Sequence, residues 1–358
     1  MAGWKVIVVL ICPWLMACSP TDDAKDHFET YLTRVAYVLD VPAPELQTPQ
    51  ALAPTLVPLP AQRELTLPTP PISTGVLDAL KLGQCDLLGL VAEHNAPAGK
   101  SQSAAGQFAY HLQFQQGLAQ CLSQAEDAEL SAWLTELSQL KAPLLPIYFW
   151  NLMVEEPEVR AALIPAVSGL PFQSSGGYQA TLQAFSLLAR LQAQAQQYSA
   201  MPLSLTEDSL IDLNEELNRA LRGLYKNPYL GELFYSLAAN AAYLEQSIEF
   251  LGQLQNINCQ GPHAIKAERL RNAMQHYYIK DIQPYFTELD RQFVQLAPLL
   301  QATLAPPVDK ADLMADYNEQ VALGLDSQLY VRYRALTLQH AKVWQNFLTR
   351  CELSPKRE

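Results

Sequence analysis

The sequence predicts an all-α fold, a multi-helix bundle with amphipathic helices preceded by a proline-rich extended strap, and three observations lead to it. After Gly75 apolar residues recur every three or four positions, β-branched residues are sparse, and no stretch alternates with a period of two between turn residues. The 358 residues are 49% hydrophobic and 17% charged, which supports a packed core and argues against disorder. At roughly 100–200 residues per domain the length fits one large helical domain or two coupled ones. With 24 Lys and Arg against 36 Asp and Glu, the formal net charge is −12. Nucleic acid, whose phosphates demand stripes of Lys and Arg, is therefore not expected as a partner.

Residues 1–17 read as a signal peptide. The Met1 amine and Lys5 give a charged start, and the apolar run from Val6 to Trp14 is too short to span a bilayer, which takes roughly 18 to 20 residues. Leu15 continues the apolar run, Ala17 suits a small cleavage pocket, and Cys18 supplies a thiol. This tetrad resembles a bacterial lipobox, which implies cleavage before Cys18 and acylation of its sulfur and new amino terminus, palmitate being one such chain. One acyl chain binds marginally at about 0.8 kcal/mol per buried CH₂, whereas two or more anchor stably. Asp after the Cys resembles an inner-membrane retention signal; here Ser19 follows. The expectation is an outer-membrane lipoprotein on the periplasmic side, with the membrane as partner through its lipid anchor.

Residues 18–39 comprise the lipidated Cys and a first helix. Thr21 is the expected cap, Asp22 and Asp23 suit the positive end of the helix dipole, and Phe28, Tyr31, Leu32, Val35 and Leu39 mark the buried side. Residues 40–74 hold nine prolines in 35 positions, which denies a helix. The interleaving of Leu52, Leu56, Leu59, Leu65 and Leu67 with proline favours an ordered strap over a free linker. Residues 75–354 form the helical domain. Its expected stripes are Leu77, Leu80, Leu87, Leu88 and Val91; Phe108, Leu112, Leu118 and Leu122; and Leu130, Trp133, Leu134, Leu137 and Leu140. Later come Leu182 to Tyr198, Leu210 to Leu224 after a Ser204 and Glu207 capping box, the long series Leu230 to Leu251, and Leu325 to Phe347. Pro143–Val154, the longest strongly apolar patch, reads as a buried helix with its entry turn.

Four cysteines remain once Cys12 leaves with the leader and Cys18 takes lipid. In an oxidising compartment they suggest two disulfides with three possible connectivities, of which Cys85 with Cys121 and Cys259 with Cys351 is favoured. Cys259 falls in a turn after one helix and Cys351 at the end of another. The first pair needs a long connection around Pro97, since a short antiparallel hairpin would offset the sulfurs along their helices.

The sequence lacks most motifs that carry chemistry. Gly99, Lys100 and Ser101 mimic the end of a P-loop, but His94 stands where the first Gly belongs, and no nucleotide is expected. HExxH, GxSxG and SxxK are all missing. Cys259 and His263 lack a second ligand pair, so no metal and no cofactor are expected. His340, between Leu336 and Val343, reads as a core histidine. Glu215 with Glu216 and Asp208 with Asp212 read as solvated acids near a helix start rather than a glycosidase pair. Tyr277, Tyr278, Tyr285 and Phe286, and Tyr225, Tyr229 and Tyr235, read as core, with a ligand groove as the other reading.

The Thr21 helix, the strap ending Arg63, Glu64, Leu65, Thr66, Leu67, Pro68, and the series Leu80, Cys85, Glu93, Asn95, Gly99, Lys100, Tyr110, Cys121 resemble a family of Gram-negative lipoproteins classed only as a domain of unknown function. The resemblance spans nearly the whole mature chain, most sharply Arg63 to Cys121, and implies no activity, cofactor or substrate. The family has an Arg where this chain has His94, so no anion contact is carried over to that position. Glu93, His94, Asn95 and Lys100, a polar cluster in the first interhelical turn, are the candidate binding residues, and no catalytic residue is assigned. The expected function is a non-enzymatic interaction or scaffold module of the envelope with an envelope protein as partner. The alternatives are a hydrolase or lyase acting on peptidoglycan or glycan, and a carrier of a small apolar or aromatic ligand.

Overall fold

The computed structural model describes residues 23–47, 56–72, 80–172, 176–203, 213–261 and 264–354, and among these there is no β-strand. The signal peptide, Cys18, Ser19, Thr21, Leu52, Leu77 and the Ser204 and Glu207 capping box lie outside the described residues.

Helix α1 (Ala24–Leu39) is capped by Asp23, whose carboxylate accepts from the Lys25 amide at 3.4 Å, and not at Thr21. An Asp caps at least as well as a Thr and adds a negative charge at the positive end of the dipole. Phe28, Tyr31, Leu32, Val35 and Leu39 are all buried, as their spacing requires. Asp40 ends the helix in the left-handed region (φ 64°), and the Lys266 ammonium caps the Leu39 carbonyl at 2.9 Å.

The described parts of the strap run along the bundle. Leu46, Leu59, Leu65 and Leu67 are buried, and the short helix α2 (Gln62–Leu65) is the one helical turn in them. Proline cannot donate to a backbone ladder, so bundle side chains hold this segment. Asn151 clamps Leu67 from both sides, accepting from its amide and donating to its carbonyl, each at 2.9 Å. Trp150 Nε1 donates to the Leu65 carbonyl and Arg160 to that of Pro60, both at 2.9 Å.

The stripe expected through Leu80, Leu87, Leu88 and Val91 is not one helix. A 3₁₀ turn (Leu82–Cys85) ends at Asp86, which is left-handed at φ 55°, and α3 (Leu88–Asn95) begins only after it. The break swings residues off the common face, so Leu87 is buried while Leu80 is 57% exposed. Helix α4 (Pro97–Lys100) turns the chain into α5 (Ala104–Gln124), and α6 (Ala128–Lys141) returns against it. The apolar patch is the entry turn Ala142–Leu144 and the buried α7 (Leu145–Glu155), followed by α8 (Pro157–Leu163).

The rest is a bundle of long helices: α9 (Tyr178–Ala200), α10 (Leu213–Leu224) and α11 (Tyr229–Leu251). Next, α12 (Ala264–Ala273) continues through a π-helical segment (Met274–Ile282) into α13 (Gln283–Thr303). The short α14 (Ala311–Tyr317) precedes α15 (Gln328–Arg350), which packs along α11. Gly231 permits one close crossing: a Cβ there would sit 2.2 Å from the Ile164 carbonyl oxygen.

Two cores result. The large one joins α1, the strap, α7 and the long helices; the small one gathers Leu82, Leu87, Leu130, Leu134 and Leu137. Helix α5 serves both, with Phe108 and Leu112 in the large core and Tyr110, Phe114 and Leu118 in the small one. Each core is tied by a disulfide, Cys85–Cys121 in the small and Cys259–Cys351 in the large. His340 is a core histidine, fully buried with Nε2 3.3 Å from the Tyr31 hydroxyl, which also accepts from Trp344 Nε1 at 2.6 Å.

Candidate functional site

Helix α5 carries the centre of the site. Gln107, Tyr110, His111 and Phe114 stand at helical spacings of three, four and seven, so they share one face, and that face lines a cavity of about 630 Å³. Val91, His94 and Asn95 face it from α3, Lys100 from α4, Leu137 and Lys141 from α6, and Tyr148 from α7. Thr69 to Ile72 of the strap form its roof. Gly99 allows the tight α3–α4 corner, where a Cβ would lie 2.3 Å from the Glu93 carbonyl oxygen.

Aromatic rings run along the wall. His94 stacks on Tyr110 at 3.6 Å between centroids and 3° between planes. His111 stacks on Tyr148 at 3.8 Å and meets Tyr110 edge-on at 4.8 Å. Burial pushes the His111 imidazole down to about 3, with the charge of Lys141 adding to the effect, and burial also lowers His94. Both rings are thus largely neutral at neutral pH. His94 Nδ1 lies 3.4 Å from Gln102 Oε1, and Thr69 hydrogen-bonds the Tyr148 hydroxyl. The Lys141 ammonium sits 4.9 Å from the Phe114 ring centroid, and burial depresses its pKa. It has no carboxylate partner among the described residues.

Of the four residues singled out from sequence, His94, Asn95 and Lys100 reach the cavity. Glu93 does not: it lies two positions from Val91, on the far side of α3, and is exposed. The P-loop mimic forms no phosphate cradle, because the Lys100 amide donates to Ala96 and the Ser101 amide to Ala98. Sequence reasoning missed His111, Lys141, Tyr148 and the roof. The available signal was that α5 is apolar on two faces, one more than a helix at the edge of a single core needs.

Residues 28–355 match the family described as a protein of unknown function, DUF3080. The chain belongs to the DUF3080 family. No curated protein and no solved structure matches it.

Elsewhere in this DUF3080 chain the described sequence candidates are mostly surface ion pairs, core rings and a disulfide cysteine, and Tyr225 departs from the expected core position. Glu215 pairs with Arg219 at 3.0 Å and Glu216 with Arg190 at 2.7 Å on the surface, while Asp208 and Asp212 lie outside the described residues. Tyr229, Tyr278, Tyr285 and Phe286 are core; Tyr277 packs beside them under Arg34, and Tyr225 is 59% exposed. Cys259 is in a disulfide, His263 is outside the described residues, and no cluster able to hold a metal is found among those described.

Proposed function

We propose that this protein is a lipid-anchored component of the periplasmic side of the outer membrane that, without catalysis, binds a small molecule with a flat apolar part. The cavity beside α5 carries this reading. Its volume lies in the range of ordinary small-molecule sites, and the wall of His94, Tyr110, His111 and Tyr148 offers ring faces for stacking. A scaffold module with a protein partner, the expectation from sequence, needs no such cavity. The paired-carboxylate hydrolase finds no support here, because none of the described lining residues is acidic.

Location rests on the lipobox residues Leu15 to Cys18, on Ser19, and on the two disulfides, which suit an oxidising compartment. No helix among the described residues is long and apolar enough to cross a membrane, so an anchor at Cys18 is the route to the bilayer that this reading uses. Two measurements test it. The Cys18→Ser chain should lose fatty-acid labelling and leave the outer-membrane fraction, and persistence there would refute the anchor. Native mass spectrometry of the protein released gently from membranes should show a co-purifying small molecule, lost when Val91→Trp fills the cavity.

A further inference from the structure

We propose that the cavity is a receptor for a small organic anion, its charged group held by Lys141 and Lys100 and its planar body laid against the His94–Tyr110 stack. This rests on the reading of the cavity as a small-molecule site and adds the sign of the ligand.

Charge distribution carries the argument. The chain bears 36 acidic residues against 24 basic ones, yet the described residues lining this cavity include two lysines and no carboxylate. Lys141 decides the matter. It ends α6 next to the small core, largely removed from water, with its ammonium over the Phe114 ring and no carboxylate among the described residues to neutralise it. A desolvated cation without a counter-ion is unfavourable, and an anion entering the cavity supplies the partner that the described residues do not. A cationic ligand would meet like charge in that setting. The histidines add no competing charge. Neither ring nitrogen of His111 has a hydrogen-bond partner among the described residues, so its neutral imidazole keeps one N–H to donate to the ligand.

The test uses two dyes that share one ring system. 8-Anilinonaphthalene-1-sulfonate carries the anionic group, and N-phenyl-1-naphthylamine lacks it. The Cys18→Ser chain, purified without detergent, is titrated with each by fluorescence. The expected result is an anionic dye bound at least ten-fold tighter than the neutral one. Lys141→Met should bring the two within about two-fold, Lys141→Arg should keep the preference, and Val91→Trp should weaken both ten-fold or more. Unchanged helical circular dichroism shows that the variants fold. If the neutral dye binds as well as the anionic one, or if Lys141→Met leaves the ratio intact while Val91→Trp still weakens both, the anion assignment is overturned and the small-molecule reading stands. If neither dye binds, or Val91→Trp weakens neither, the small-molecule reading fails and this inference with it.

Discussion

In the large core buried tyrosine hydroxyls tie helices together, whereas beside the small core ring and ammonium groups turn toward an open space. Tyr285 donates to the Leu170 carbonyl at 2.8 Å, Tyr317 to that of Leu163 at 2.9 Å, and Tyr229 to Gln292 at 2.6 Å. Around the small core, His111 and Lys141 end in the cavity with ring contacts alone among the described residues, and α3 buries no residue fully. Burial of apolar surface is what stabilises a core, so the α3 side of the cavity, which buries no residue fully, contributes less than the long helices do. Sites for ligands are drawn from such regions.

The strongest way to break the contrast is to open each disulfide separately. Closing loops of 92 and 36 residues implies losses of about 4.5 and about 4 kcal/mol on the chain-entropy account. Cys259→Ser with Cys351→Ser should lower the stability of the whole bundle in chemical denaturation. Cys85→Ser with Cys121→Ser should instead release α3 and α5 first, seen as hydrogen exchange confined to residues 82–124; equal loss of protection in both regions would erase the distinction.

Acid probes the same contrast through one histidine on each side. Burial holds both His340 and His111 at about 3, against roughly 6.5 in an unfolded chain. Between those values the unfolded chain binds more protons, so stability falls as pH drops from 6.5 toward 3 and is unaffected by these groups above that window. Each should remove on the order of 2–3 kcal/mol by pH 4.5. Imidazole NMR signals that titrate near pH 6.5 in the folded protein would contradict this. Because Lys141 contributes to the depression at His111, Lys141→Met should raise the His111 titration and leave that of His340 in place.

Smaller effects sharpen the boundary between the regions. Asn151→Ala removes both bonds to Leu67 and should destabilise by about 2 kcal/mol in urea denaturation, because it leaves a buried amide and carbonyl unsatisfied. Lys141→Met without ligand should be neutral or stabilising by up to about 1 kcal/mol, since it removes a charge that burial penalises. A loss of more than about 1 kcal/mol would mean that Lys141 is structural.

The helices were legible because each needs only one apolar stripe, and Phe28 to Leu39 or Leu230 to Leu251 supply it at the required spacing. Local punctuation was harder to read. Asp86 adopts a left-handed turn that no Gly announces, and Asp23 competes with Thr21 for the same cap. Both favoured disulfide pairings are present. The site was half legible: His94, Asn95 and Lys100 are neighbours in sequence, but Lys141 and Tyr148 join them only after α6 folds back on α5. Such contacts between distant segments leave no mark on local periodicity.

The roof of the cavity has an effect of its own on how a guest lies. Pro70 and Pro71 supply two consecutive positions with no amide hydrogen, so the backbone has no donor to offer there. For the proposed anion the donors therefore lie at the other end of the cavity, where α6 stops at Lys141, and a guest would take one orientation over its reverse.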